Sequence, residues 1–336
     1  WKGGKRLSPH TTKVACLREP RTMKVQKLEL DRKTSNKISS YIIAVLFLII
    51  SMLFGTVLDT ILRTQSLFTV VFAIFSLLQI LFGLSVIEKI IVRLFQKPLS
   101  SENIEALQKA QEKLEEAKRH VHIDEDINLV LIDSPSINSL SVGMIKHSRT
   151  ICITTGAVEK LNCDELKSLI YHELYHIKNG DTDYLTTVSG TFGSPLLIFK
   201  LTRSSIRKLK EAKKIGKLEH ERYLKEIILM NLILVISAVF LPLSYLSNLF
   251  VSTRKEFDAD IFAAERTSPD VLIGVFEKTK SNCIQLDTEY HFIRYHFFVH
   301  PNCVDTHKKP NSIIDTYPSI EERINNILNT FKKANL

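Results

Sequence analysis

The chain has 336 residues, 45% of them hydrophobic and 24% charged, and a net charge of +9. That length holds one large domain or two ordinary ones, but the apolar residues are too unevenly distributed for a wholly soluble globule. The basic excess would suit nucleic acid, yet it lies beside apolar runs and accompanies no recognised binding motif, so no nucleic-acid partner is expected.

The first 22 residues are unlike the rest, and Met23 opens a segment that reads as a natural start. Residues 1–22 are therefore expected to be an artefact within a basic tail, 1–37; native protein whose N-terminal sequence began at Trp1 would refute this. From Ile38 to Leu58 no residue is charged, and at 1.5 Å per residue the run reaches roughly 31 Å, the thickness of a bilayer core. After Asp59 and Arg63 a second uncharged run extends from Thr64 to Ile87. Both are apolar on all sides, as lipid-facing helices are, and predict a two-span hairpin over 38–97. Lys24, Lys27, Arg32, Lys33 and Lys37 precede the first run, Lys89, Arg93 and Lys97 follow the second, and only Arg63 lies between them. Basic flanks of this kind face the cytoplasm.

Ser100–His122 reads as a charged amphipathic helix with Glu105–Lys109 and Glu115–Arg119 at supportive i,i+4 spacing. Strand-like runs follow at 127–134 and 149–158, with "SINSLSVGM" between them as an exposed edge strand. A helix then begins at Asp164 and ends at Asn179-Gly180. Two further uncharged stretches, 184–199 and 227–253, flank a basic segment that includes Arg203, Arg207, Lys213 and Lys217. If both crossed the membrane, that segment would lie outside, against the positive-inside pattern; crossing, and a hairpin that dips into the membrane or packs on the protein, both remain open. Past Arg254 the composition is that of a soluble region, with a helix at "RKEFDADIFAAERT" and a final one introduced by Pro318. The domains expected are thus the tail, the hairpin, a first catalytic part at 98–183, a second hydrophobic hairpin at 184–253 and a second catalytic part at 254–336. The five cysteines, Cys16, Cys152, Cys163, Cys283 and Cys303, form no C-x-x-C pair and read as incidental thiols of a reducing compartment.

The chemistry concentrates in "YHELYHIKNGD", Tyr171–Asp181. Four residues apart on a helix, His172 and His176 share a face and can direct two imidazole nitrogens at one zinc ion. Glu173, beside the first, stands where a general base would take a proton from water at the metal. A catalytic zinc needs a third protein ligand, and no histidine extension follows His176. "RKEFDAD" offers Glu256 and Asp260 on one helical face: Glu256 is expected on the metal, and Asp260 behind a ligand imidazole, fixing its tautomer. The ordinary alternative makes both acids part of a solvated helix face. Asn179 and Asp181 read as capping and turn residues, with Asp181 also able to orient a histidine.

"HELYHIKNGD", "RKEFDAD" and "TYPSIEERI", in that order, resemble the signature of HtpX-like membrane zinc metalloproteases, a family that includes the CAAX prenyl endopeptidases. The resemblance covers the chain from about residue 38 to its end. It implies a mainly α-helical integral membrane protein with a cytoplasmic gluzincin-type zinc metalloprotease domain of helices and a small β-sheet. It further implies one Zn2+ per chain, a multi-pass place in the plasma or inner membrane, and endopeptidase action on misfolded or damaged membrane proteins. In that family a strand near "INSLSVG" holds extended substrate, which carries over to Asn138, Ser139 and Leu140; a strand serving only the fold is the plain alternative. Where the family has Thr-His-Pro, this chain has Thr316-Tyr317-Pro318. Tyr317 could serve as a phenolic oxyanion donor or equally be a simple turn residue, with Arg323 or His300 reaching the site instead, and the donor stays open. The rival readings are a CAAX-type prenyl-protein protease, which needs more spans, and a non-proteolytic zinc-binding scaffold, which would not need Glu173.

Overall fold

The computed structural model describes residues 19–95, 101–143, 149–217, 219–282, 284, 291–301 and 317–334. Residues 1–18, Lys97, Cys16, Cys283, Cys303 and Thr316 lie outside these. Most of the described chain is helical, around one small sheet.

Helices α1 (Glu19–Leu62) and α2 (Leu67–Phe95) form an antiparallel pair. Asp59, which interrupts the apolar runs, caps the start of α2. Its carboxylate accepts hydrogen bonds from the backbone N–H groups of Phe68 and Thr69, each at 2.9 Å, and from the hydroxyls of Thr64 at 2.6 Å and Thr69 at 2.7 Å. A helix start offers unpaired N–H groups and a partial positive charge, so an acid in this turn holds the hairpin together. Among the described residues three helical segments are long and apolar enough to cross a membrane: Asp31–Leu62, Leu67–Phe95 and His220–Tyr245.

The stretch 184–199 is not among these three segments. It is divided among the end of α6 (Asp181–Val188), a π-helical turn (Ser189–Gly193) and the start of α7 (Ser194–Lys214), and most of it is buried inside the protein. The widened turn frees the Thr191 carbonyl, and the Gln79 side chain reaches across from α2 to donate to it at 3.0 Å and to Ser194 Oγ at 2.7 Å. Helix α7 carries basic residues from Lys200 to Lys214, too many for a lipid-facing span, and packs against α8 (His220–Tyr245). Gly83 of α2 meets Gly190 backbone to backbone, and a Cβ on Gly83 would stand 2.1 Å from the Gly190 carbonyl oxygen. Gly83→Ala is therefore expected to push α2 off the π-turn and destabilise the protein by about 1–3 kcal/mol, read as a lower midpoint in thermal unfolding in detergent. An unchanged midpoint would show that the two helices can separate without cost.

The remaining elements build the soluble part: α3 (Ser101–Val121), β1 (Ile127–Ile132), β2 (Ser139–Val142), β3 (Arg149–Thr154), α4 (Thr155–Lys160), α5 (Cys163–Asn179), α9 (Thr253–Arg266), α10 (Pro269–Ser281) and α11 (Ile320–Ala334). The strand order is β1-β3-β2, with β1 parallel and β2 antiparallel to β3. The expected second strand run is shorter than 149–158, because Thr154 caps α4 through its side chain and turns the chain helical. On α3 the anticipated i,i+4 pairs are replaced: Lys109 donates to the Val158 carbonyl at 3.1 Å and Glu115 pairs with Lys118 at 3.2 Å. Residues from both sides of the 184–253 insertion form one core, including Leu169, Ile170 and Leu174 of α5, Ala263 of α9, Phe276 of α10 and Ile327 of α11.

The basic flank of α1 also docks this core to the membrane hairpin. Arg32 pairs with Asp258 at 3.2 Å and Lys33 with Glu125 at 3.0 Å. The Asn36 amide donates to the Asn179 carbonyl at 2.8 Å and to Asp181 at 2.9 Å, and Lys255 pairs with Asp181 at 2.8 Å. The end of the first span is thereby fastened to the end of α5.

Candidate metal centre

Helix α5 is closed at both ends by local chemistry. The Asn162 side chain accepts from the Asp164 and Glu165 backbone N–H groups, the Glu165 carboxylate accepts from the Asn162 N–H, and Gly180 leaves the helix at φ +74°. This capping box and left-handed stop fix the helix ends. Within it His172 and His176 point the same way, their Nε2 atoms 3.1 Å apart. Helix α9 crosses α5 and brings Glu256 to the same point: Oε2 lies 3.5 Å from His172 Nε2 and Oε1 3.6 Å from His176 Nε2. One donor atom from each of these three residues lies within 4.8 Å of the others, and all three side chains are buried. A tetrahedral ion with donors at about 2.0–2.1 Å keeps them roughly 3.3–3.4 Å apart, so the cluster has the dimensions of a metal site.

Two buried oxygens make the same point independently. Glu256 Oε2 and Glu173 Oε2 have no hydrogen-bond partner, a costly condition for a carboxylate removed from water. A cation between the three donors would satisfy the first. The second belongs to the residue next to His172 in the chain. The other Glu173 oxygen, Oε1, accepts a hydrogen bond from Ser139 Oγ at 2.6 Å, which fixes the side chain from β2.

Behind the histidines stand two carboxylates. Asp260 Oδ1 lies 3.1 Å from His172 Nδ1, and Asp181 Oδ2 lies 3.3 Å from His176 Nδ1. Each holds its ring with Nε2 directed at the cluster. Burial alone would push the His172 pKa down, but the Asp260 and Glu256 carboxylates beside the ring raise it to about 9. Burial likewise would lift Asp181, and His176 together with Lys255 pulls it down to about 2. Against the same burial, His176, His172 and Arg323 keep the Glu256 carboxyl below its usual range. The site is thus an anionic pocket arranged around a positive charge.

Arg323 of α11 completes it. Its guanidinium grips Asp260 through Nε at 2.7 Å and a terminal nitrogen at 2.6 Å, lies 3.7 Å from Glu256 Oε2, and donates to the Phe298 carbonyl. Its face is 4.7 Å from the centres of the Phe276 and Phe298 rings. Of the oxyanion candidates, Arg323 is the one brought against a cluster residue. The Tyr317 hydroxyl is spent on the backbone carbonyls of Phe297 and Phe298, and His300 stacks edge-on against Tyr317 at 6.2 Å.

Of Asn138, Ser139 and Leu140, Ser139 reaches Glu173, and none of them lies on an exposed edge strand. All four residues of β2 are buried, and the side of β2 away from β3 is occupied by Phe297–Val299. Strand alternation reveals the strand; it carries no sign of a partner more than 150 residues later. Three further contributors lacked a local signal: the Ser139–Glu173 bond, the Arg323 grip on Asp260 and the Lys255–Asp181 pair all join segments distant in sequence.

Residues 105–330 match the sequence pattern of peptidase family M48. Among curated relatives, the "Protease HtpX" of Wigglesworthia glossinidia brevipalpis is 24% identical over 59% of this chain and 64% of its own length. The "Protease HtpX homolog" of Bacteroides fragilis is 25% identical, covering 58% of this chain and 60% of its own. A "Protease HtpX homolog" of Neisseria meningitidis is 26% identical, over 58% and 63%. The chain thus spans less than two thirds of the length of these relatives. No solved structure matches it. Because the matched region takes in both halves of the cluster, from α3 through α11, the chain is an HtpX-like member of peptidase family M48.

Proposed function

We propose that this chain is a zinc-dependent membrane endopeptidase whose metal is held by His172, His176 and Glu256, with Glu173 as its general base. The observation that carries the reading is the buried His172-His176-Glu256 cluster, whose donor atoms lie within 4.8 Å of one another, with Glu173 next to His172 in the chain and holding a buried carboxylate oxygen that makes no hydrogen bond. Two imidazoles and a carboxylate are a donor set suited to zinc with one position open. When bound, the ion would supply Lewis acidity to water and to the scissile carbonyl. Glu173, positioned by Ser139, takes the proton of the attacking water and later delivers one to the departing amine. Asp260 and Asp181 hold the two rings in the required tautomer, and Arg323 keeps Asp260 ionised. Detergent-purified protein is expected to hold one zinc per chain and to cleave casein until a chelator is added; metal-free protein with undiminished cleavage would refute the assignment.

Proton competition gives a second test. A His172 pKa raised to about 9 means the apo ring is protonated below that pH and must lose its proton to bind metal. Apparent zinc affinity is therefore expected to fall by about tenfold per pH unit as pH drops from about 8 to 6. Competition titration with a fluorescent chelator measures it, and a flat profile contradicts the assignment of His172.

The basic flanks of the first two spans support a catalytic face in the cytoplasm of a plasma or inner membrane. A green fluorescent protein fused after Leu336 should then fluoresce while alkaline phosphatase at the same place stays silent; the opposite result reverses the topology. Cleavage of misfolded membrane proteins follows from the HtpX-like kinship and from an active site fastened to α1. A misfolded multi-span reporter should decay more slowly in cells that lack the chain, and equal decay would remove the quality-control role.

A further inference from the structure

Under the proposed function a polypeptide must lie along β2 beside the metal cluster. An extended substrate adds itself to a free strand edge through backbone hydrogen bonds. That edge is already used from within the chain. Leu140 and Phe297 face each other as an antiparallel pair. The Phe298 N–H donates to the Ser139 carbonyl at 2.8 Å, and His296 Nδ1 lies 3.0 Å from the Ser141 carbonyl oxygen. The Asn138 amide holds Val299 from both sides, donating to its carbonyl at 2.7 Å and accepting from its N–H at 3.1 Å.

The Phe298 carbonyl is held by two side chains. The Tyr317 hydroxyl approaches it at 2.7 Å, Arg323 donates to it, and the Phe298 ring stands 4.9 Å from the His172 ring. Two donors that could steady a developing oxyanion are thus occupied by a backbone carbonyl of the chain itself.

We propose that the segment Phe297–Val299 is an autoinhibitory strap: it occupies the peptide cleft in a substrate-like pose, and a substrate binds only when the strap leaves β2. The inference rests on the proposed function for the identity of the cleft. The strand pairing itself is short, one bridge with the Phe298–Ser139 bond and the Asn138 clamp, and a peptide can make the same bonds to β2. Release also requires Tyr317 and Arg323 to let go of the strap carbonyls and the buried Phe297 and Phe298 rings to leave the core. A tethered competitor lowers the fraction of binding-competent protein and raises the apparent dissociation constant in proportion.

The test uses the full-length, zinc-loaded chain carrying Leu140→Cys and Phe297→Cys, since facing residues of an antiparallel pair lie within disulfide reach. Binding of a fluorescein-labelled casein peptide is followed by anisotropy in the additional Glu173→Gln background, and casein hydrolysis without it. Oxidation, with the bridge verified by peptide mapping, is expected to weaken binding by about tenfold or more and to stop hydrolysis, and reduction to restore both. If the oxidised form binds peptide as tightly as the reduced form, or if neither form binds, the strap is overturned. If binding responds to oxidation but no form hydrolyses casein, the strap stands and the protease assignment falls. A second variant guards against misfolding of the pair: Val299→Pro, which removes the N–H given to Asn138, should lower KM about fivefold with kcat little changed, whereas Val299→Ala keeps the wild-type KM. An unchanged or higher KM in Val299→Pro overturns the strap.

Discussion

Glu173→Gln is expected to retain one zinc per chain and to lose casein hydrolysis by about 10²–10⁴-fold, the usual contribution of a positioned acid–base group. The expectation rests on the division of labour between the two carboxylate oxygens. Oε1 accepts from Ser139 Oγ at 2.6 Å, and a glutamine carbonyl can accept the same bond. Oε2 has no hydrogen-bond partner and is the atom that takes the proton in the proposed reaction. An amide nitrogen there cannot accept one. The metal cluster is left alone, because His172, His176 and Glu256 supply its donors and Glu173 does not. Metal analysis and hydrolysis rates on the same preparation separate the two effects. Full activity in this variant removes Glu173 from the reaction, and loss of zinc would move it into the metal's own coordination.

The second large effect falls on stability. Arg323→Ala is expected to destabilise the chain by about 3–5 kcal/mol, because it strands a buried carboxylate. Asp260 is fully buried, and Arg323 meets both of its oxygens, at 2.6 and 2.7 Å. The guanidinium also fills the space between the Phe276 and Phe298 rings, so packing is lost with the charge. Arg323→Lys recovers little, since an ammonium cannot reproduce the two-pronged grip. Arg323→Met combined with Asp260→Asn should recover part of the loss: the shape is kept, the stranded charge is gone, and the asparagine oxygen still faces His172 Nδ1. Denaturant midpoints of the three variants in one detergent measure the order. Equal midpoints for Arg323→Ala and the parent would mean that Asp260 is neutral in the fold. Zinc affinity should fall along with stability in Arg323→Ala, since Asp260 fixes the His172 ring.

Legibility in the sequence followed the range of the physics involved. The apolar runs on either side of Asp59 announce two spans by length alone, because bilayer thickness and helix rise set a threshold that a local stretch meets or misses. Length and composition left 184–199 undecided; there Gly190 and Gly193 belong to a buried π-helical turn, Pro195 opens α7, and Gln79, a residue more than 100 positions earlier, donates to the Thr191 carbonyl. Asp59 read as a mere interruption; only the folded hairpin shows it capping α2.

At the metal cluster the helical period placed His172, Glu173 and His176 on α5, and the period again placed Glu256 and Asp260 on one face of α9. Those are properties of a stretch five residues long, and sequence alone determined them. The meeting of the two helices, the Arg323 grip from α11, the Ser139 bond from β2 and the covering of the β2 edge by Phe297–Val299 were decided only by tertiary structure. The reason is physical: spacing along a helix fixes direction, but which distant carboxylate, hydroxyl or strand arrives to meet it depends on how the whole core packs.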